Sequence, residues 1–368
     1  MRVALVHDWL ITWRGGEKVL DAIAGLFPTA DIFTLFHQPG AMSPRIESRT
    51  IHTSFLDKIP GSRRNHRSYL PLMPIAIERL SLAGYDLILS SSHCVAKGAH
   101  KPRGAQHLSY VHAPMRYIWD HFDDYFGPGR APLGVRAGAW ALRPALQKWD
   151  VKSARGVDRF VANSQNVARQ IARRYGRVAS VVYPPAELER FSALPAEGGG
   201  RGGYFLCLGA LAPNKRIDLA IAAFAQMGLP LWVGGTGQQS AWLRSLPPNV
   251  KALGQVPDAD LPELYRGARA LVFPGEDDLG LTAIEAQASG RPVIAYARGG
   301  ALETVSGQTG IFFGAQTVQS LVDAVERFDA FEPSFSSSAA RLNASRFSLA
   351  AFEDGIRAEL KAMGLTAP

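Results

Sequence analysis

The sequence predicts an α/β protein made of two doubly wound parallel-sheet domains, and three observations predict it. Short apolar runs alternate with longer stretches of helical period along nearly the whole chain, the pattern of parallel strands covered by helices on both faces. The 368 residues are too many for one ordinary core. Residues 184–203 gather Pro184, Pro185, Pro195 and the run Gly198, Gly199, Gly200, which is a linker composition. Domains are therefore expected at 1–183 and 204–348, with 184–203 between them.

In the first domain 2–7, 30–35, 85–90, 108–112 and 159–163 read as strands, the last closing the sheet, and 74–82 and 135–155 read as helices. Paired glycines, Gly15 and Gly16, precede a helix expected to start near Glu17. They let a ligand approach the backbone and its free N–H groups, although a tight turn explains them equally well. His112 ends a strand in the string YVHAPMRYIWD, with Arg116 and Asp120 beyond it, and open α/β sheets bind ligands at such strand ends. His93 reads as structural or as one remove from a ligand. Ser164 is placed to cap the helix after the last strand.

In the second domain 204–209, 230–234, 271–273, 292–296 and 310–313 read as strands. Helices are expected after the loop 210–216, at 281–289 and at 317–328, with one more capped by Asp258 or Asp260. Gly235, Gly237 and Ser240 nearly make the glycine fingerprint of nicotinamide cofactors. The third glycine and the later acid are missing, so a tight turn is expected instead. Near the C-terminus Phe352, Ile356 and Leu360 fall at steps of four, on one helical face.

Composition narrows the function classes. Apolar residues make up 47% and charged ones 20%, ordinary for a soluble globular protein, and no apolar run approaches the ~18 residues of a membrane span. The N-terminus does not read as a signal peptide, and Cys94 and Cys207 make neither a disulfide framework nor a zinc site, so a reducing cytoplasm is expected. Charge is uneven: residues 1–176 carry 24 Lys and Arg against 13 Asp and Glu, a net +11, while 177–368 carry 16 against 19, a net −3. The basic half is expected to meet an anionic acceptor or surface. Its densest cluster interleaves Arg63, Arg64 and Arg67 with Tyr69, Leu70, Leu72 and Met73. An anionic membrane headgroup region suits that mixture, and a solvated basic loop explains it equally well. No nucleic-acid recognition motif accompanies it.

The stretch 271–296, LVFPGEDDLGLTAIEAQASGRPVIAY, is the most informative. It reads as strand, acidic loop, helix and strand, with Gly280 breaking the loop just before the helix. Helix N–H groups and the macrodipole at Leu281 and Thr282 attract an anion such as a diphosphate. Glu276, Asp277 and Asp278 would repel that anion and are better read as acceptors for hydroxyl groups on a neutral part of the same ligand. A nucleotide sugar has both parts.

The spacing Asp277-x7-Glu285, with Gly280 and Leu281 between and Ala286, Gly290, Pro292, Val293 and Ile294 after, resembles the E-x7-E signature of the family 4 retaining glycosyltransferases. The string GGALETV at 299–305 resembles their bacterial mannosyltransferase-like branch. Two further strings resemble the same family: H-x-P-x-R-Y-x-W-D at His112, and the basic loop ALAPNKRID at 210–218. Two positions depart from it, Asp277 where the family usually has Glu, and Ala210 where it has Arg.

The resemblance implies the GT-B fold, two Rossmann-like domains with an interdomain cleft, in which helix 349–368 packs back on the first domain. It implies catalytic roles for His112, Asp277 and Glu285. Asp277, or Glu276 beside it, would hold sugar hydroxyls, Glu285 the ribose, and His112 the sugar from the opposite side. Gly15, Gly16, Lys215, Arg216, Val256, Gly280, Leu281 and Thr282 would bind the donor, with Arg216 or Arg14 offsetting the missing arginine. Arg116 would hold an acceptor or donor phosphate, and with Arg63 and Arg64 of the basic cluster is assigned to the acceptor. The departing diphosphate would accept the acceptor proton, without a protein nucleophile. No cofactor or metal is expected beyond the nucleotide-sugar co-substrate. The partners implied are GDP-mannose as donor, with UDP- and dTDP-sugars left open, and a glycan or polyprenyl-diphosphate-linked glycan as acceptor, at the inner face of a membrane. Two rivals remain, a glycosidase using Asp277 and Glu285 as its carboxylate pair, and a nucleotide-sugar binding protein that has lost turnover.

Overall fold

The computed structural model describes residues 1–119, 122–129, 131–192, 203–237 and 245–366. They fall into two compact units, 1–185 with 349–368, and 186–348. Both are α/β, and among the described residues every strand pair is parallel.

The strands of the first unit are β1 (Val3–His7), β2 (Asp31–Thr34), β3 (Ile51–Thr53), β4 (Leu87–Ser92), β5 (Gln106–Val111), β6 (Arg159–Ala162) and β7 (Ala179–Val181). Their order in the sheet is β3-β2-β1-β4-β5-β6-β7. Its helices include α1 (Gly15–Leu26), α2 (Pro44–Glu47), α3 (Met73–Glu78), α4 (Phe122–Phe126), α5 (Leu133–Ser153) and α6 (Gln165–Tyr175). Ser164 caps α6 by accepting from the Val167 N–H at 3.1 Å. The alternation of side chains along β1 divides two cores: Val3 and Leu5 enter one apolar cluster, Ala4 and Val6 the other.

The second unit begins with α7 (Leu188–Ser192) and continues through β8 (Tyr204–Leu208), α8 (Ile217–Met227), β9 (Leu231–Gly234), β10 (Val250–Gly254), α9 (Leu261–Gly267), β11 (Ala268–Phe273), α10 (Leu281–Ala288) and β12 (Val293–Tyr296). It ends with α11 (Ala301–Thr304), β13 (Gly310–Phe313), α12 (Val318–Phe331) and α13 (Ser337–Ser345), and its sheet order is β10-β9-β8-β11-β12-β13. The chain then returns to the first unit as α14 (Leu349–Ala362), whose Phe352, Ile356 and Leu360 are buried in the cluster that holds Leu5, Leu89 and Tyr110. Burying each such side chain is worth about 1.5–3 kcal/mol.

Several expectations need correction. β6 does not close the first sheet, because β7 lies outside it. The short strands β3 and β10 were not legible. The expected linker contains α7, whose buried Phe191 packs its ring 5.6 Å from that of Tyr265, so the second unit starts earlier than 204. The glycine run 198–200 lies outside the described residues, as do Asp120 and Ser240. Neither Asp258 nor Asp260 caps α9 through its side chain; a 3₁₀ turn across 258–260 leads in instead.

In each sheet the strand order reverses once, between β1 and β4 and between β8 and β11. The carboxyl ends of strands beside such a reversal form a crevice, the usual ligand position in doubly wound folds.

Candidate active site

At the reversal in the first unit, three histidines gather. His7 ends β1, His93 follows β4 and His112 follows β5, with ring centroids 5.8, 6.5 and 6.4 Å apart pairwise. Ser91 of β4 joins two of them, its Oγ lying 3.1 Å from His7 Nδ1 and 2.8 Å from His112 Nε2. Glu17, on the first turn of α1, puts Oε1 3.7 Å from His7 Nε2 and accepts the Arg14 N–H on Oε2 at 3.0 Å. The cluster rests on a fully buried Asp8. Its carboxylate accepts the backbone N–H groups of His93, Cys94, Val95 and Ala96 at 2.6–2.9 Å and sits 3.0 Å from His93 Nδ1. Four charge-assisted bonds hold the β4 loop in place.

His7 Nε2 faces the Glu17 carboxylate at a distance too long for a hydrogen bond. With the His7 proton on Nε2, His7 Nδ1 accepts from Ser91, Ser91 accepts in turn from His112 Nε2–H, and His112 is left with Nδ1 as an acceptor. Burial holds His112 well below the usual imidazole value, and His93, His7 and Arg116 push in the same direction. Burial also lowers His93, against the pull of Asp8. Burial opposes ionisation of Glu17, but His7 and His93 outweigh it and its value falls. At neutral pH His93 and His112 are therefore neutral imidazoles, with the Glu17 carboxylate ionised nearby. Among the described residues no group of His, Cys, Asp and Glu has the geometry of a metal site.

Gly16 stands over this cluster; a Cβ there would lie 3.6 Å from His7 Cε1 and 3.9 Å from His112 Nε2. That is contact distance without clash, so glycine at 16 keeps open space above the two rings. Gly15 opens α1 beside it. Arg116 is half-buried and near enough to repel protons from both His93 and His112.

The second unit builds its crevice differently, from glycine backbones. A Cβ at Gly235 would fall 1.8 Å from the Gly209 carbonyl oxygen, one at Gly237 2.5 Å from that of Leu211, and one at Gly275 2.4 Å from that of Asn214. A Cβ at Gly300 would meet the Leu279 backbone at 2.2 Å. The loops after β8, β9, β11 and β12 therefore lie backbone on backbone, which leaves the residues between them little freedom. Gly235 and Gly237, read as a tight turn, owe their identity to this approach.

Those loops carry Lys215 and Asp277, which pair with each other. Asp277 is also held through its carbonyl, which accepts the Gly300 N–H at 2.8 Å. Gly280 precedes α10 at φ +92°, a conformation that favours glycine, and a Cβ there would strike the Phe273 ring at 2.8 Å. Leu281 and Thr282 open α10, where the first amides have no intrahelical acceptor. Glu285, one turn on, accepts from the Tyr265 hydroxyl at 2.8 Å. Glu276 is exposed.

Other expected site residues are placed less centrally. Arg216 sits at φ +48° with its guanidinium 3.2 Å from Asp218 and near Gln316, so its charge is directed at its own helix. Val256 packs its side chain against Gly234, where a Cβ would meet it at 2.8 Å. Arg63 forms two bonds to Asp57, at 2.7 and 2.9 Å, which raise its already high value and tie it to a local turn. Arg64 and Arg67 are exposed, whereas Met73 is buried.

Comparison with known proteins places this geometry. The sequence profile described as Glycosyltransferase Family 4 matches residues 14–190, and the one described as Glycosyl transferases group 1 matches 202–328. A mannosylfructose-phosphate synthase of Agrobacterium fabrum is 37% identical over 128 residues, 29% of this chain and 28% of the relative. A GDP-mannose-dependent alpha-(1-6)-phosphatidylinositol monomannoside mannosyltransferase of Mycobacterium tuberculosis is 28% identical over 216 residues, 50% of this chain and 56% of the relative. The chain thus spans about half the length of these relatives or less. Among solved structures, Anabaena Alr3699/HepE in complex with UDP superposes with a TM-score of 0.70 at 18% identity, covering 98% of this chain and 100% of that one. The apo lipopolysaccharide outer core galactosyltransferase WaaB gives 0.68 at 16% identity, over 99% and 100%. Two parallel-sheet units with these neighbours are the GT-B fold, and with both profiles matched the chain belongs to the family 4-like glycosyltransferases.

Proposed function

We propose that the protein is a retaining hexosyltransferase that moves mannose from GDP-mannose to a saccharide or polyprenyl-diphosphate-linked acceptor in surface polysaccharide synthesis. The observation that carries the reading is the Lys215–Asp277 pair at the strand reversal of the second unit, beside the N-terminus of α10. A diphosphate on the amides of Leu281 and Thr282 would compete with Asp277 for the Lys215 ammonium. The released carboxylate then becomes an acceptor for hexose hydroxyls, so one exchange accounts for both charges. Lys215 and the helix amides stabilise the leaving diphosphate as its bond to carbon breaks. Glu285, held by Tyr265, is assigned the ribose hydroxyls. Neutral His112, accepting through Nδ1, is assigned a sugar hydroxyl, and Arg116 an acceptor phosphate.

Mannose is favoured by the GDP-mannose-dependent relative and by the GGALETV string, whereas the UDP complex of Alr3699/HepE speaks to the fold alone. No helix among the described residues is long and apolar enough to cross a membrane. A lipid-linked acceptor would be met at a bilayer surface. A thermal-shift panel of GDP, UDP and dTDP tests the donor, since binding to the folded state alone raises apparent stability. GDP is expected to give the largest rise. A rise with UDP or dTDP and none with GDP would replace the donor.

A further inference from the structure

The helix α5 is unusual for a surface helix. Of its 21 residues only Leu146 and Asp150 are buried, both in its C-terminal half. Its N-terminal turns present Leu133 at 76% exposure, Val135 at 52%, Trp140 at 73% and Leu142 at 41%. Leu133 and Trp140 are seven apart and share one stripe, as do Val135 and Leu142. The two stripes lie about 200° apart, so these turns are apolar nearly all round. A helix of that kind is ordinarily buried. Here the body buries its far end and meets its middle at Arg143, which leaves Leu133, Val135 and Trp140 exposed.

The charges on this part of α5 are basic, while α4 beside it carries Asp123 and Asp124. From Leu133 to Trp149 the chain contains Arg136, Arg143 and Lys148 and no acid. The C-terminal turns of α5 meet α3 where Trp149 Nε1 donates to Glu78 at 2.7 Å. α3 is preceded by the basic segment with exposed Arg64 and Arg67, and Leu72 and Ile75 are exposed beside it. Arg67 acts electrostatically on Tyr117, whose ring is 5.0 Å from that of Tyr125 in α4, next to α5. The Arg143 guanidinium is held by the carbonyls of Ile118 and Trp119, so the guanidinium groups exposed here are those of Arg64 and Arg67. Exposed apolar turns, a tryptophan and these two guanidinium groups match an anionic bilayer interface, where the apolar residues enter the acyl boundary and the guanidinium groups meet phosphate.

We infer that the N-terminal turns of α5, together with the exposed Arg64 and Arg67 of the same unit, dock the protein on an anionic lipid bilayer. The inference deepens the proposal of a lipid-linked acceptor and rests on it for its purpose, but its chemistry is independent of sugar transfer. It also moves the membrane contact. Of the segment first suspected, Met73 is buried and Tyr69 and Leu70 pack on the core, which leaves Leu72 exposed, so the larger exposed apolar surface belongs to α5.

Co-sedimentation of the full chain with phosphatidylcholine vesicles, and with vesicles of equal phosphatidylcholine and phosphatidylglycerol, tests it. The protein is expected to partition onto the mixed vesicles, less so as salt rises, and weakly onto phosphatidylcholine alone. Trp140→Ser with Leu133→Ser should lower partitioning about tenfold or more, and Arg64→Ser with Arg67→Ser about fivefold per cation, without change in melting temperature. No partitioning, or partitioning unchanged by the serine pair at α5, overturns the inference. So does a concentration-dependent dimer that the same pair dissolves, which would make a second copy the occupant. Vesicle binding with no nucleotide stabilisation would overturn the proposed function and leave this inference standing.

Discussion

The two strand reversals solve the same problem with different materials. In the first unit the crevice is lined by side chains, Glu17, His7, Ser91 and His112 in one chain of contacts, with Asp8 beneath. In the second it is framed by backbone, with Gly235, Gly237, Gly275 and Gly300 each admitting a neighbouring loop closer than any Cβ allows. The difference teaches where each region tolerates change. Substitution in the first should alter protonation and chemistry while sparing the fold. Substitution in the second should break the fold before chemistry can be read.

The largest expected effect follows from that contrast. Gly235→Ala places a Cβ 1.8 Å from the Gly209 carbonyl oxygen at φ +137° and should cost roughly 3–5 kcal/mol, seen as early melting of the second unit. Gly16→Ala meets nothing closer than 3.6 Å; it should leave melting within about 0.5 kcal/mol of wild type yet lower kcat/KM by filling the space over His112. Gly314→Ala, where nothing lies within 4 Å, is the control. Equal melting losses at 235 and 16 would erase the distinction.

A second comparison sharpens the side-chain crevice. Glu17→Gln preserves shape but removes the charge that faces His7 Nε2. It should lower kcat about tenfold to a hundredfold with a smaller change in KM. A purely structural Glu17 would instead show in the melting temperature. Stability should also depend on pH through the buried histidines. His112, His93 and His107 are all lowered, His107 to about 3, so the unfolded chain binds more protons as pH falls below about 6.5. Their contribution is fully present above that value and is lost at roughly 1.4 kcal/mol per pH unit for each group as pH falls toward the folded value. Denaturant titrations at several pH values from neutral to 4 read the slope, and a flat profile would contradict neutral buried imidazoles.

The smallest effect belongs to Arg216. Its guanidinium faces Asp218 on its own helix, so Arg216→Ala should change nucleotide affinity by less than about threefold.

What the sequence showed of this contrast was uneven for physical reasons. The central strands and α10 were legible because buried parallel strands are continuously apolar and Gly280 and Gly290 mark the helix ends. β3, β7 and β10 were not, being only three to five residues long and lying at or near sheet edges, where burial imposes a weaker pattern. His112 and Lys215 stood out through local strings. His7 and Glu17 did not, since their roles come from partners brought together by folding; Ser91 is 84 residues from His7. The RGGE string held a signal in its acid, which was read only as a helix start. The glycines at 235 and 237 resembled a cofactor fingerprint because close backbone approach demands glycine in both cases.

The central claim is that Lys215 exchanges the Asp277 carboxylate for a nucleotide diphosphate. Its most direct test is the dissociation constant of the stabilising nucleoside diphosphate, by calorimetry, for wild type, Lys215→Ala and Asp277→Asn. The account predicts that Lys215→Ala weakens binding by about 2–5 kcal/mol and that Asp277→Asn, which removes the competing carboxylate, leaves it equal or tighter. Unchanged affinity in Lys215→Ala, or weaker diphosphate binding in Asp277→Asn, would contradict it.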